Sequence, residues 1–175
     1  MRKFTDEVVD AATEIRRRAG LCLPAFSTSR VVKLCFPEAV VIGHSLPGGI
    51  DEVVSRTEHG VVIVYRRDLS ICERRFAVAH AIGHLVFGDV PDGPRYRGVG
   101  GSVESEARAD AFAAELLVPL IHLERYLEVG HSPHAKGDGH ESYLDHVDQL
   151  ASRFKAHSRL IDARIRELIP VATSD

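Results

Sequence analysis

The chain has 175 residues, 45% of them hydrophobic and 27% charged, and its formal net charge is −3. This length and apolar content allow one sizeable core, so we expect residues 1–175 to form a single domain. The charge balance argues against a global basic field for nucleic acid and against an acidic disordered tail. The sequence has no apolar run typical of a secretory signal or a membrane span, which predicts a cytoplasmic protein that does not bind membranes.

The first half of the chain is predicted to contain two helices and a small sheet. Apolar residues recur at helical spacing over 6–19, and Gly20 ends that helix. The stretch 29–36 could form a second short helix, although the β-branched residues Val31 and Val32 leave that assignment open. Short β-rich runs separated by turn sequences follow at 39–42, 51–57 and 61–65. These runs predict a small antiparallel sheet.

The middle of the chain is predicted to be mainly helical. Ser70 and Glu73 have the spacing of a capping box, so a helix should begin there and end before Gly88. The following stretch, 89–102, is rich in Gly and Pro and predicts a loop. Two further helices are expected over 103–118 and 119–126.

The end of the chain is expected to hold a loop and a pair of helices. Residues 129–141 are rich in His and Gly and predict the loop. Residues 142–170 repeat apolar side chains at helical spacing with a break near His157, which predicts two helices joined by a tight turn, similar in shape to a helix-turn-helix. Strands followed mostly by helices favour an α+β class over a doubly wound sheet.

The three cysteines predict neither a disulfide framework nor a cysteine metal site, because their number is odd and their spacing is wide. The expected role is that of small buried hydrophobic side chains in a reducing cytosol. The residues concerned are Cys22, Cys35 and Cys72.

A candidate metal-binding pair lies on the helix that begins after Ser70. His80 and His84 are four residues apart, so their imidazoles project from one helix face, one turn apart, and can reach a single ion. The chain has 10 histidines, so a pair at this spacing also arises by chance. The spacing alone is therefore a weak signal.

A third ligand is offered by the next strong helix, where Glu106 and Asp110 lie among alanines that would let two helices approach closely. Glu106 could complete a set of two His and one Glu, with water in the fourth position of a zinc ion. Asp110 could accept a hydrogen bond from the second nitrogen of a liganding His. The alternative is a solvated helix face near an N-terminus, where acids meet the helix dipole favourably.

The stretch RFAVAHAIGHL around His80 and the stretch EARADAFAAELLVP that begins at Glu106 resemble the ImmA/IrrE family of zinc metallopeptidases. The resemblance implies a zincin-like fold over residues 1–128, in which His80, His84 and Glu106 bind one zinc ion. The same donor set also suits manganese or another divalent metal. Zinc is preferred because of the resemblance and the hydrolytic role that it implies.

In that family the residue after the first His is a Glu that takes a proton from zinc-bound water, whereas this chain has Ala81. Removal of a positioned acid or base commonly costs roughly 100-fold to 10,000-fold in rate, so we expect metal binding with poor turnover. Either the protein is naturally non-catalytic, or a Glu was changed to Ala on purpose. The other motif residues are retained, which favours the second explanation.

The resemblance implies cleavage of a regulatory protein, such as a helix-turn-helix repressor of a mobile element or a stress response. One alternative is a non-catalytic zinc module that sequesters such a regulator, and Ala81 is its best support. Another is direct DNA binding by basic residues of the C-terminal helix pair, but the interspersed acids argue against it. Those basic residues include Arg153, Arg164 and Arg166. The candidates for stabilising an oxyanion are Tyr96, His131, His134 and His140, with no choice among them.

Overall fold

Strands are concentrated in the first half of the chain and helices in the second, as seen in a computed structural model that describes residues 5–22, 24–90, 93–96, 102–128 and 140–168. This distribution confirms the predicted α+β class. The elements of the described residues are α1 (Thr5–Arg18), α2 (Thr28–Cys35), β1 (Ala39–His44), β2 (Glu52–Thr57), β3 (Gly60–Arg66), α3 (Ile71–Val86), β4 (Gly93–Tyr96), α4 (Val103–Leu117), α5 (Leu120–Glu128), α6 (His140–Phe154) and α7 (Ser158–Leu168).

The sheet is mixed, with the strand order β1-β3-β2-β4. β2 runs antiparallel to both β3 and β4, but β1 pairs with β3 in parallel, with Ala39 opposite Val61. The expectation of a purely antiparallel sheet was therefore wrong for β1. The tight turn at Glu58 and His59 folds β3 back against β2, so β3 lies between β2 and β1. Because both β1 and β3 run opposite to β2, these two neighbouring strands run in the same direction.

The fourth strand lies inside the stretch 89–102, which was predicted to be a loop. β4 pairs with β2, with Arg95 opposite Val54. Its sequence, GPRY, has no alternating pattern of its own, so the strand depends on the edge that β2 offers. Residues 91–92 and 97–101 lie outside the described residues, as does 129–139 of the second predicted loop, while α6 already begins at His140.

Local sequence signals set the ends of α3. The Ser70 side chain accepts a hydrogen bond from the Glu73 backbone N–H at 3.3 Å, and the Glu73 carboxylate accepts one from the Ser70 N–H at 2.9 Å. Past its C-terminus, Gly88 has φ +72°, a conformation that glycine adopts without a Cβ clash. The capping box and the stop signal are confirmed, and the uncertain segment before the sheet is a helix, α2, capped by Ser27.

The core lies between one face of the sheet and the helices, with α3 at its centre. Val78, Ala79 and Ile82 of α3 are fully buried, as are Phe112 of α4 and Phe154 of α6. None of the helices in the described part of the chain is long and apolar enough to cross a membrane. Residues 77–84 of α3, which include both histidines, are all buried.

Two buried arginines fasten the C-terminal helices to this core. Arg75 of α3 donates hydrogen bonds to the backbone carbonyls of Phe154, at 2.6 Å, and Lys155. Arg164 of α7 donates to the carbonyl of Val118 at 3.1 Å and pairs with the carboxylate of Glu115. The predicted pair of helices is confirmed, and it is an integral part of the domain core.

The cysteines differ from one another in burial. Cys35 is buried and Cys72 is half-buried, but Cys22 is exposed. The expectation of buried cysteines was wrong for Cys22, because this residue lies beyond the end of α1, where the chain leaves the core. The three thiols are free.

Candidate metal centre

α3 and α4 cross at a point where neither helix has a large side chain. A Cβ atom built on Gly83 of α3 would lie 3.0 Å from the Cα of Ala109 on α4 and 3.3 Å from its Cβ. Gly83 is flanked by His80 and His84, and Ala109 lies between Glu106 and Asp110. Because these small residues let the backbones approach, four polar side chains from two helices meet at the crossing.

Three of these side chains direct their donor atoms at one another. The Nε2 atoms of His80 and His84 are 3.0 Å apart. The Glu106 carboxylate reaches both, with Oε2 3.4 Å from His80 Nε2 and Oε1 3.5 Å from His84 Nε2. Ligands about 2.0–2.1 Å from a tetrahedral zinc ion are about 3.3 Å from one another, so these separations fit a zinc ion between the three groups.

The burial of the three groups differs in a way that leaves one side open. The side chains of His80 and His84 are 0% and 2% exposed, whereas that of Glu106 is 18% exposed. Two imidazoles and one carboxylate leave a fourth tetrahedral position, which is the arrangement of catalytic rather than structural zinc sites. The geometry therefore brings together all three residues predicted as ligands, and their binding of a metal stays a prediction.

Asp110 lies where the sequence analysis expected it, behind the first histidine. Its Oδ1 is 2.9 Å from His80 Nδ1, on the side of the ring opposite to the donor cluster. A carboxylate at Nδ1 favours the tautomer in which Nδ1 carries the proton, so the lone pair of Nε2 faces the cluster. This contact also fixes the orientation of the ring.

A second group of polar residues joins the beginning of α4 to the end of α3. Asp89 accepts hydrogen bonds from Ser105 Oγ at 2.8 Å and from Arg108 at 2.9 Å, and the Arg108 guanidinium lies over the Phe87 ring. Burial by itself raises the pKa of Asp89, but the hydrogen bonds from Arg108 and Ser105 and the charge of Arg108 outweigh it and lower the pKa. These contacts hold the end of α3 against the beginning of α4.

The catalytic position that sequence analysis singled out carries no functional group. Ala81 is completely buried in the core, directly after His80. A different carboxylate, which sequence analysis missed, lies close by: Glu52, the first residue of β2, is 1% exposed, and its Oε1 is 3.8 Å from His80 Nε2. One sequence signal could have indicated the inward direction of Glu52: it lies two positions before the apolar Val54, and residues two apart on a strand share a face.

None of the candidates for oxyanion stabilisation has a side chain among the described parts of the structure. Tyr96 is the last residue of β4 and His140 the first of α6, and the structure describes neither side chain. His131 and His134 lie outside the described residues altogether. Their assignment stays a prediction.

Three of the basic residues considered for DNA binding contact other side chains of the chain. Arg164 is buried against Glu115, Arg153 lies over the Tyr126 ring, and Arg166 pairs with Asp162 at 2.9 Å. Of these three arginines, only Arg164 is buried, whereas the Arg166 side chain is 74% exposed. The expectation that this helix pair does not bind DNA stays a prediction.

Comparison with known proteins identifies the scaffold. Residues 39–166 match the family model of the peptidase M78 group, described as the IrrE N-terminal-like domain. A Mycobacterium tuberculosis transcriptional regulator has a similar structure, with a TM-score of 0.62 and 16% sequence identity over 97% of this chain. The chain spans 49% of that regulator, so the likeness concerns the fold of one part of it. No curated protein matches the chain in sequence.

Proposed function

Because the chain belongs to the peptidase M78 family of IrrE N-terminal-like domains, we propose that it is a zinc-dependent endopeptidase domain that cleaves a regulatory protein. The observation that carries this proposal is the convergence of His80, His84 and Glu106, whose ligand atoms all lie within 4.8 Å of one another. These three residues would hold the zinc ion. A bound zinc ion lowers the pKa of water and polarises a carbonyl group.

The side chains around the proposed zinc site have separate tasks. Asp110 orients His80 and keeps its Nε2 lone pair directed at the site. Glu106 is the most exposed of the three proposed ligands, so the peptide substrate approaches on its side. Ala81 can neither accept nor donate a proton, and this predicts activity well below that of a protein with Glu at the same position.

The origin of Ala81 belongs to the same proposal. The proposed ligands and Asp110 are all in place around it, which favours a Glu that was replaced on purpose over a site that lost its function gradually. The codon in the native gene tests this directly. An Ala codon there would mean that the change is natural.

The substrate in this proposal is a transcriptional regulator, such as a helix-turn-helix repressor of a stress response. The family is one of peptidases, which implies a protein substrate, and a protein of similar fold is itself a transcriptional regulator. Specificity would come from docking of the target. Such a target places the proposed activity in the cytoplasm.

The Ala81→Glu variant tests the function. Zinc-loaded protein and variant are incubated with a panel of helix-turn-helix repressors from the source organism, with the chelated protein as a control. We expect the variant to cut one repressor at a limited site, faster than the protein with Ala81. A zinc-loaded, folded variant that leaves every repressor and other protein substrate intact would contradict the proposal.

A second candidate function is supported by Ala81 itself. A zinc module without a general base could bind a regulator and hold it without cutting it. In the same incubation, this function predicts a stable complex with an intact repressor, both before and after the Ala81→Glu change. A limited cut by the variant decides against it.

A further inference from the structure

Glu52 is a charged residue at an inward position of the sheet. It opens β2, and Val54, two residues on, is 1% exposed and belongs to the core. Side chains two apart on a strand share a face, so Glu52 points to the same interior as Val54. Glutamate is rarely buried unless it is paired or functional, because transfer of a carboxylate out of water is costly.

The position of Glu52 relative to the proposed metal centre is specific. Its Oε1 lies 3.8 Å from Nε2 of His80, which is the ring nitrogen that faces the ligand cluster. Within the described parts of the chain, the group of mutually close ligand atoms comprises His80, His84 and Glu106, without Glu52. Glu52 is thus a carboxylate beside the set of proposed ligands and outside it.

Other acids near the crossing are committed to different tasks. Asp110 contacts Nδ1, on the opposite side of the His80 ring. Asp89 is held by Ser105 and Arg108 at the end of α3. Of these carboxylates, Glu52 is the one placed at the Nε2 side, where the reaction would take place.

We propose that Glu52 supplies the catalytic carboxylate for the residual activity of the protein with Ala81. This inference rests on the proposed peptidase function. Glu52 takes a proton from the attacking water as the water oxygen bonds to the scissile carbonyl carbon and the carbonyl electron pair moves to its oxygen. Glu52 then gives that proton to the amide nitrogen as the carbon–nitrogen bond breaks. One peptide bond and one water thus yield a carboxylic acid and an amine, and the carboxylate is regenerated.

The position of the carboxylate in the sequence differs from that in the family motif, but its position in space can serve the same step. The family's Glu reaches the site from the helix that carries both histidines. Glu52 reaches the same histidine from the neighbouring strand. A general base needs only to lie within reach of the proton that it moves, so its origin on a strand or a helix is immaterial.

The test compares Glu52→Gln with the unchanged protein, with Ala81→Glu and with the double variant. Glutamine keeps the size of the side chain but cannot act as a base. Asp51→Asn is the matched control, because Asp51 is the preceding residue, is 40% exposed and pairs with Arg66 instead of the site. The probes are the repressor panel and fluorescein-labelled casein, an unfolded protein. Zinc content, zinc affinity by chelator competition and the melting curve are measured for every variant.

We expect Glu52→Gln to remain folded, to keep about one zinc per chain and to cut at least about 100-fold more slowly than the unchanged protein. Adding Ala81→Glu to it should restore cleavage, and Asp51→Asn should cut at the unchanged rate. Retention of zinc separates a proton-transfer role from a ligand role. A Glu52→Gln protein that loses zinc as a ligand variant does would overturn the inference.

The failure of this inference can be told apart from the failure of the proposed function. If Ala81→Glu cuts a probe while the unchanged protein and Glu52→Gln are equally slow, the peptidase function stands and the role of Glu52 falls. If no zinc-loaded variant cuts either probe, the peptidase function falls and the role of Glu52 falls with it.

Discussion

Two pairs of helices in this domain bury polar groups, and they do so in opposite ways. At the crossing of α3 and α4, the ring nitrogens of His80 and His84 and the carboxylate of Glu106 converge on one another. In the C-terminal pair, α6 and α7, polar groups meet complementary partners, as Tyr143 meets Asp162 at 2.6 Å and Ser158 meets Asp148 at 2.6 Å. Convergent electron-pair donors are stabilised by a cation, whereas complementary pairs are already satisfied.

This difference indicates that the α3–α4 crossing is a binding site, whereas the pair α6 and α7 has a structural role. Arg164 looks functional in the sequence, but it is 7% exposed and bound to Glu115 and to the carbonyl of Val118. Its charge stabilises the attachment of α7 to α4. The α3–α4 crossing should therefore respond to metal, and the C-terminal pair should respond to changes in packing and charge pairing.

The largest effect on stability is expected from Arg164→Ala. This change leaves the carboxylate of Glu115 buried without its guanidinium, and breaking a buried ion pair costs about 3–5 kcal/mol. Urea unfolding of the zinc-free protein measures it. The double variant Arg164→Met with Glu115→Gln should recover much of the loss. A loss below about 1 kcal/mol for the single variant would mean that the pair is not structural.

Loss of Asp110, which contacts a proposed ligand without being one, should lower the zinc affinity more than the stability of the fold. In Asp110→Ala the Nδ1 atom of His80 loses the carboxylate that orients it, and loss of such a partner typically weakens metal binding by about 10- to 100-fold. Chelator competition gives the affinity. The control is Asp162→Ala, which removes a carboxylate from the C-terminal pair and should leave zinc affinity unchanged. An equal loss of zinc affinity in the two variants would contradict the claim that only the α3–α4 crossing binds metal.

The close approach of α3 and α4 predicts that Gly83→Ala disturbs the site and the packing together. The new methyl group would lie 3.0 Å from the Cα of Ala109, so the helices must separate. Overpacking of this kind costs about 1–3 kcal/mol, and we expect zinc affinity to fall about tenfold. Gly48→Ala is the matched control, because nothing lies within 4 Å of its added Cβ. Unchanged zinc affinity in Gly83→Ala would contradict the role of the crossing.

The smallest expected effect concerns alkaline pH and the C-terminal pair. Burial and the hydrogen bond to Asp162 raise the pKa of Tyr143 from 10.0 to about 12. A raised pKa favours the neutral phenol in the fold, so its contribution is complete below pH 10 and is lost as the pH rises towards 12. The contact is partly exposed, so the loss should be about 1 kcal/mol. Urea unfolding across this range should show a smaller decline for Tyr143→Phe than for the unchanged protein.

The features that could be predicted from the sequence depend on neighbours along the chain. The cap at Ser70, the stop at Gly88 and the shared face of His80 and His84 all follow from spacing within one helix. The juxtaposition of Glu106 with the histidines also had a local signal, since small residues surround it. Helix periodicity and composition indicated that these two helices could meet, and the resemblance to the ImmA/IrrE family favoured this over a solvated helix face.

The features that could not be predicted depend on pairing between distant segments. The parallel position of β1 and the existence of β4 are decided by which strand edge is available. The inward direction of Glu52 depends on the register of β2 in the sheet, and the burial of Arg164 depends on its meeting Glu115. The alternation along β2 indicates that Glu52 shares a face with Val54, but it does not show which side chain from another segment lies opposite.

The central claim is that the convergent groups at the α3–α4 crossing bind one metal ion. Elemental analysis of the purified protein and of His84→Ala, after mild chelation to remove ions held loosely by other histidines, tests it most directly. We predict about one zinc per chain in the protein and almost none in the variant, with both folded. No bound metal in either protein, or equal zinc in both, would contradict the claim.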